Sequence, residues 1–132
     1  MDYSRYDKKN KILAESDHYY ILAEYEKALL YSKKDSKLVA CVGDFYGDSQ
    51  DAYIDSKEEY CITVGCGIVL YYLREPFEDY KYNQTSEQWI ETGRDGEILW
   101  CDRIEKVEDG FFTVSLENGG EKCVQLGTLK LI

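Results

Sequence analysis

The sequence predicts an α+β fold that is mainly β, with about seven strands in a single antiparallel sheet or partly closed barrel or sandwich, and one or two short helices. Three observations support this fold class. The chain has 132 residues, which fits one domain, so residues 1–132 are treated as a single unit. Short β-branched and aromatic runs are separated by Gly, Asn and Asp turn residues. One capping-box pattern indicates a helix.

The first 31 residues carry the weakest pattern. Residues 1–17 are polar and predict a loosely ordered arm or a short helix. Residues 18–31 fit either a helix or the first arm of a hairpin that turns at 33–36. The helical stripe would consist of Ile21, Leu22, Tyr25, Ala28 and Leu29. We favour a strand from about residue 28, and residues 18–27 stay open between helix and strand.

Strand signals dominate from residue 38 onward. The predicted strands of this part are 38–42, 52–55, 60–64 and 68–73. The first is a continuous apolar run that ends at Gly43, which indicates a strand buried on both faces. The sequence Gly65-Cys66-Gly67 separates the last two and marks a bend or a close backbone approach.

The last third of the chain predicts one helix and a β-meander. Pro76 ends the preceding strand. Thr85 and Gln88 form a capping-box pattern and Gly93 can end a helix, so a short helix is expected over 86–92. Turn signals at Asp109-Gly110 and Asn118-Gly119 then separate three predicted strands, 98–107, 111–116 and 122–126.

The chain is acidic, and its charge is unevenly placed. The formal net charge is −10, which disfavours binding to nucleic acid or to anionic membranes. Residues 1–43 carry +1 and residues 44–132 carry −11, of which −5 lies in residues 44–59. The longest apolar run, 60–73, is 14 residues long and contains two glycines. It is shorter than the roughly 20 residues that span a bilayer.

Five cysteines and one histidine give little sign of catalysis. An odd, widely spaced set of cysteines, with no leader-like apolar segment before it, predicts reduced thiols in the cytoplasm. Cys41, Cys61 and Cys123 lie in apolar runs and are expected in the core, whereas Cys66 is expected to be the most exposed. The spacings match no zinc site, and His18 is the sole candidate imidazole base. No cofactor, metal site or catalytic residue is therefore predicted.

Acidic and aromatic residues are interleaved in residues 44–59 and again in 78–82. Tyrosines are favoured anchors in interfaces, and carboxylates around them steer a basic partner. The active-site groove of a nuclease is such a partner, because it is lined with Lys and Arg for phosphates. The predicted partner-binding residues are Asp44, Tyr46, Asp48, Asp51, Tyr53, Asp55, Glu58, Glu59, Glu78, Asp79, Tyr80 and Tyr82.

Residues 38–73 also carry a resemblance. They contain Val42-Gly-Asp-Phe-Tyr-Gly-Asp48, then Ala52-Tyr-Ile-Asp55, Tyr60-Cys61 and Gly65-Cys-Gly67. With this block, its size and its acidity, the chain resembles small acidic immunity proteins of bacterial polymorphic toxin and contact-dependent growth inhibition systems. The resemblance implies a cytoplasmic, non-enzymatic protein that binds and blocks a cognate toxin. The charge favours a basic nuclease as that toxin.

Two other classes of function stay open. One is a small thiol- or carboxylate-based enzyme or ligand-binding domain, with a site near Gly65–Gly67. The other is an assembly or adaptor protein that acts through a sheet edge. The sequence leaves the oligomeric state undetermined.

Overall fold

The polypeptide is built from β-strands joined by turns and loops. We obtained a computed structural model that describes residues 10–94 and 96–131. Within these residues there are eleven strands and no helix. They are β1 (Asn10–Glu15), β2 (Tyr19–Glu24), β3 (Lys27–Ser32), β4 (Leu38–Asp44), β5 (Asp51–Ile54), β6 (Tyr60–Gly65), β7 (Gly67–Tyr72), β8 (Trp89–Thr92), β9 (Cys101–Glu108), β10 (Phe111–Leu116) and β11 (Glu121–Gln125).

The strands form three antiparallel sheets, each a simple meander. Their orders are β1-β2-β3-β4, β5-β6-β7-β8 and β11-β10-β9. None of the three closes into a barrel. The predicted fold class is therefore wrong, namely α+β with a single sheet or a partly closed barrel or sandwich of about seven strands, and one or two short helices. The described part of the chain is all-β, and none of its segments forms a membrane-spanning helix.

The sheet β5-β6-β7-β8 lies between the other two. It is buried on both faces, because β6 and β7 are apolar at almost every position. Side chains alternate between the two faces of a strand. Cys61, Val69 and Tyr71 therefore pack toward the first sheet, against Ile21, Leu30 and Val42 among others. Ile62, Val64, Ile68 and Leu70 pack toward the third sheet, against Phe112, Val114 and Val124. The result is three layers with two apolar cores.

The predicted helix at 86–92 is wrong. Trp89–Thr92 is strand β8, and it pairs with β7 from Tyr71↔Trp89 to Ile68↔Thr92. The Gln88 amide, which the capping-box pattern assigned to a helix start, instead donates to the carbonyls of Tyr72 and Arg74 at 2.8 and 2.9 Å. Burial of the Trp89 ring beside Tyr71 outweighs the local helix signal.

The prediction of a loosely ordered arm or short helix over residues 1–17 is also partly wrong. Residues 10–15 form β1, which pairs with β2, while residues 1–9 of the predicted arm lie outside the described residues. Residues 18–27, left open between helix and strand, contain β2 and the turn into β3, and the strand favoured from about residue 28 is confirmed as β3. Strand β4 lies where predicted, but it is completely buried on one face only: Ala40 and Val42 are buried, whereas Val39 and Cys41 on the opposite face are half-buried.

The remaining turns follow the sequence signals. Gly65 and Gly67 face each other at the tight β6–β7 turn, and Gly110 adopts a positive φ of 84° between β9 and β10. Strand β9 begins at Cys101, three residues after the predicted start at 98. The reason is that Leu99 is held outside the ladder: its N–H donates to Gly93, and its carbonyl accepts from Gly67.

Candidate functional site: an aromatic cleft with an acidic rim

Exposed apolar side chains gather at one place on the surface. The described residues include eight large apolar side chains that are exposed, and four of them line a single cleft of about 480 Å³. They are Tyr46, Tyr82, Ile98 and Trp100, which are 78%, 48%, 37% and 43% exposed. We call this site the aromatic cleft. Clustered exposed apolar area of this kind marks a binding surface.

Three connections bring these side chains together. Tyr46 lies in the β4–β5 loop, Tyr82 in the long β7–β8 loop, and Ile98 and Trp100 in the β8–β9 connection. Trp100 forms a β-bridge with Cys66 at the β6–β7 turn, and its carbonyl accepts from the Glu117 N–H at 2.9 Å. These bonds fix the backbone that carries the Trp100 ring.

Arg94 lies on the buried floor of the cleft. Its guanidinium stacks on the rings of Phe45 and Tyr82, with 4.8 Å from Cζ to each ring centroid, and its side chain is only 8% exposed. Nη2 donates to the main-chain carbonyl of Asp44 at 2.7 Å, and Nε lies 3.6 Å from Oε1 of Glu91. Nη1 is buried and has no hydrogen-bond partner among the described residues. Arg94 therefore joins the walls of the cleft rather than presenting its charge to solvent.

Two carboxylates stand at the rim. Oε2 of Glu26 accepts from the Gly47 N–H at 2.9 Å, which anchors the loop that carries Tyr46. Burial raises the pKa of Asp44, and the nearby carboxylate of Glu26 adds to this effect while Lys27 opposes it. The cleft is thus aromatic inside and acidic at its edge.

The β7–β8 loop is held in place by buried Gln88. Its side-chain amide donates to Tyr72 and Arg74, and its carbonyl accepts from the Glu78 N–H at 3.3 Å. Further along, the Tyr80 hydroxyl donates to Oε1 of Glu91 at 2.6 Å. Tyr82 lies two residues after Tyr80, so its position depends on this buried anchoring.

A second cleft of about 550 Å³ runs along β8 and shares Arg94 with the first. Its walls are mostly polar side chains, from the end of the β7–β8 loop and from Thr128. We favour the aromatic cleft as the candidate site because apolar anchors provide most of the affinity in interfaces.

The predicted partner-binding residues fall into three places. Asp44, Tyr46 and Tyr82 line the aromatic cleft, and exposed Asp48 follows Tyr46 in the same loop. The structure therefore brings together one part of the predicted set, drawn from both of its sequence segments.

A second group lies along the β5–β6 hairpin. The Asp51 carboxylate accepts from the backbone N–H groups of Ala52 and Ile104, at 2.9 and 2.8 Å, and so ties β5 to β9. The Tyr53 ring packs in the second core, 6.3 Å from that of Tyr60. The remaining three residues lie in the turn at the far end of the hairpin. Asp55 accepts from the N–H of Glu59, and Glu58 accepts from His18 in the β1–β2 turn.

A third group borders β4. The Cys41 N–H donates to Oδ1 of Asp79 at 2.9 Å, and the Cys41 carbonyl accepts from the Tyr80 N–H at 2.8 Å. Exposed Glu78 precedes them, and its carbonyl accepts from the Tyr71 hydroxyl. Tyr80 itself is only 4% exposed and stacks edge-on against Trp89, so its ring belongs to the core.

Sequence reasoning missed much of the cleft. Glu26, Ile98, Trp100 and Arg94 were not among the predicted partner-binding residues, since they come from segments far apart along the chain. One signal did point to the place, namely the Gly65-Cys66-Gly67 turn. A Cβ at Gly67 would lie 2.3 Å from Cδ of Arg94, so this glycine is what admits the arginine stem.

The cysteines are all free thiols. Cys61 is fully buried, as predicted, whereas Cys41 and Cys123, also expected in the core, are only half-buried. Burial raises the pKa of the Cys61 thiol far above its ordinary value. The expectation of an exposed Cys66 is wrong, because it is 8% exposed and lines the cleft floor. His18 contacts Glu58. Across the described residues, no group of His, Cys, Asp and Glu side chains is arranged to hold a metal ion.

Comparison of the chain with protein-family models, with curated proteins and with solved structures finds no match. The functional assignment therefore rests on the geometry of the aromatic cleft.

Proposed function

We propose that this protein is a cytoplasmic immunity protein, which binds a cognate bacterial toxin and occludes its active site. The toxin would be a basic nuclease, and the protein would act as an inhibitor rather than an enzyme. One observation supports this above all: exposed Tyr46, Tyr82 and Trp100 converge beside the carboxylates of Glu26 and Asp44, in a chain of net charge −10.

The chemistry of such a surface fits a basic protein partner. Aromatic side chains bury large area at low cost in conformational entropy, and they are over-represented among the residues that dominate binding energy. Carboxylates around them accelerate association with a positive surface and disfavour negatively charged competitors. A nuclease groove is positive because it binds phosphates, so a surface of this kind can fill it in place of nucleic acid.

The proposal predicts that the gene immediately upstream of this chain encodes a toxin, and the test is co-expression of that gene's product with this chain. The parent chain should restore growth and the Tyr46→Ala variant should not. Tyr46 is 78% exposed and lies outside both apolar cores, so its loss should leave the fold intact. Leu38→Ala, 53% exposed at the other end of β4, serves as the matched control and should still rescue. Binding of the purified pair should weaken with added salt. A neighbouring toxin that kills equally with and without this chain would refute the proposal.

A further inference from the structure

We infer that the aromatic cleft receives one arginine side chain of the partner protein, stacked on its aromatic rings and paired with its rim carboxylates. This inference rests on the proposed function in one respect: the occupant belongs to a basic protein.

The aromatic faces provide the first argument. Tyr46 and Trp100 are substantially exposed at the cleft, and aromatic rings attract cations placed over their faces. The cleft already holds one guanidinium stacked in this way, that of Arg94 on Tyr82 at 4.8 Å. A planar guanidinium stacks on such rings and is less strongly hydrated than the ammonium of lysine, so arginine fits better than lysine.

The charge distribution provides the second argument. Arg94 lies 3.6 Å from the carboxylate of Glu91, so its positive charge is partly balanced within the fold, and Nη2 donates to the main-chain carbonyl of Asp44. The side-chain carboxylates of Glu26 and Asp44 outnumber the one guanidinium in the cleft lining, that of Arg94, while Lys27 beside Asp44 offsets part of their negative charge. An arginine that enters can direct its terminal N–H groups toward carboxylates while its plane lies on the rings.

The rigidity of the walls provides the third argument. Glu26 anchors the loop of Tyr46 through the Gly47 N–H, Arg94 supports Tyr82 from one side, and Cys66 pairs with the backbone of Trp100. The cleft is consequently formed before any partner arrives. Preorganised walls lower the entropy cost of capturing a side chain.

The experiment uses the intact protein and three short capped peptides that differ at one position, which is arginine, its neutral isostere citrulline, or lysine. The chain has two tryptophans, so the indole N–H signals of exposed Trp100 and buried Trp89 can be followed separately by NMR. The arginine peptide should shift the Trp100 signal and leave Trp89 unchanged. The citrulline peptide should bind about tenfold more weakly.

Variants locate the site. Tyr46→Ala and Asp44→Asn should each weaken binding of the arginine peptide by about three- to tenfold. Asp102→Asn, an exposed acid on β9, removes the same charge elsewhere and should change nothing. Equal binding of the arginine and citrulline peptides would overturn the inference, as would the absence of any Trp100 shift up to about 10 mM peptide. The peptide experiment contains no toxin, so a negative result there contradicts the arginine site but not the proposed function. A failure to rescue growth contradicts the proposed function but not the peptide result.

Discussion

Arg94 donates from Nη2 to the main-chain carbonyl of Asp44, 2.7 Å away, across 50 positions of sequence. This bond joins the end of β4 in the first sheet to the connection that leaves β8 in the second. The same guanidinium stacks on Phe45 and Tyr82, so a single side chain links three segments of the cleft. The shape of the candidate site therefore depends on a residue that is itself almost completely buried.

We expect Arg94→Lys to destabilise the protein by about 1–3 kcal/mol, because the ammonium cannot reproduce both the stacking and the bond to Asp44. Urea unfolding measures the loss. Acrylamide quenching of Trp100 in the folded state should also change, since the cleft walls are no longer held. Arg103→Lys is the control: the Arg103 side chain is 66% exposed and its ion pair is with nearby Glu105, so the effect should be near zero. Equal stability of the two variants would contradict the role assigned to Arg94.

Gly67→Ala should move Arg94 and disturb the cleft. The added Cβ would lie 2.3 Å from Cδ of Arg94, at a φ of +110° that L-residues rarely adopt. Gly119→Ala is a matched control, since its φ is +91° and nothing lies within 4 Å of the added atom. We expect the free energy of unfolding to fall further for Gly67→Ala, by at least about 1 kcal/mol, because only this variant is overpacked. Identical losses would show that backbone strain alone matters.

Gln88→Leu should loosen the β7–β8 loop. Leucine has a similar size, but it leaves the carbonyls of Tyr72 and Arg74 and the N–H of Glu78 without the amide that now serves them. A loss of about 1–3 kcal/mol is expected, together with faster amide hydrogen exchange in the loop. The same substitution at exposed Gln84 should have little effect on either measurement. Unchanged exchange at Glu78 in Gln88→Leu would refute the anchoring role.

The parts of the fold that could be predicted are those set by local pattern. The β6–β7 hairpin has two β-branched runs around Gly65 and Gly67, and both its strands and its turn lie where expected. The helix prediction for 86–92 was wrong because a four-residue capping pattern carries no information about β7, the strand with which Trp89 pairs. Its conformation is decided by burial against Tyr71, which is a long-range contact.

The candidate site was predictable only in part for the same reason. Asp44 and Tyr46 carry the acid-and-aromatic signal, and they do lie at the cleft. Arg94 comes from the stretch Gly93-Arg94-Asp95-Gly96, which looks like an ordinary polar turn, and Trp100 was predicted only as part of the strand over 98–107. Which carboxylates stay at a surface could not be read from the sequence either. Asp51 belongs to the densest acidic segment, yet both of its carboxylate oxygens accept hydrogen bonds from backbone N–H groups.

A separate ion pair ties the β1–β2 turn to the β5–β6 turn. Nδ1 of His18 lies 2.6 Å from Oε1 of Glu58, and the His18 N–H donates to Oε2 at 3.0 Å. The hydrogen bond with Glu58 raises the pKa of His18 above its ordinary 6.5. Burial alone would raise the pKa of Glu58, but hydrogen bonds from Ser16 and His18 lower it below its ordinary 4.5.

The two shifts set a pH window for stability. A raised histidine pKa contributes stability that is complete below 6.5 and is lost as the pH rises through the folded-state pKa. A lowered carboxylate pKa contributes stability that is complete above 4.5 and is lost as the pH falls through the folded-state pKa. His18→Gln should therefore lower the free energy of unfolding most at about pH 5.5, and the difference should shrink as the pH rises through the folded-state pKa of His18. Urea titrations of both proteins across this range measure the difference. Because the chain has one histidine, its NMR titration is unambiguous, and a midpoint at or below 6.5 would contradict the ion pair.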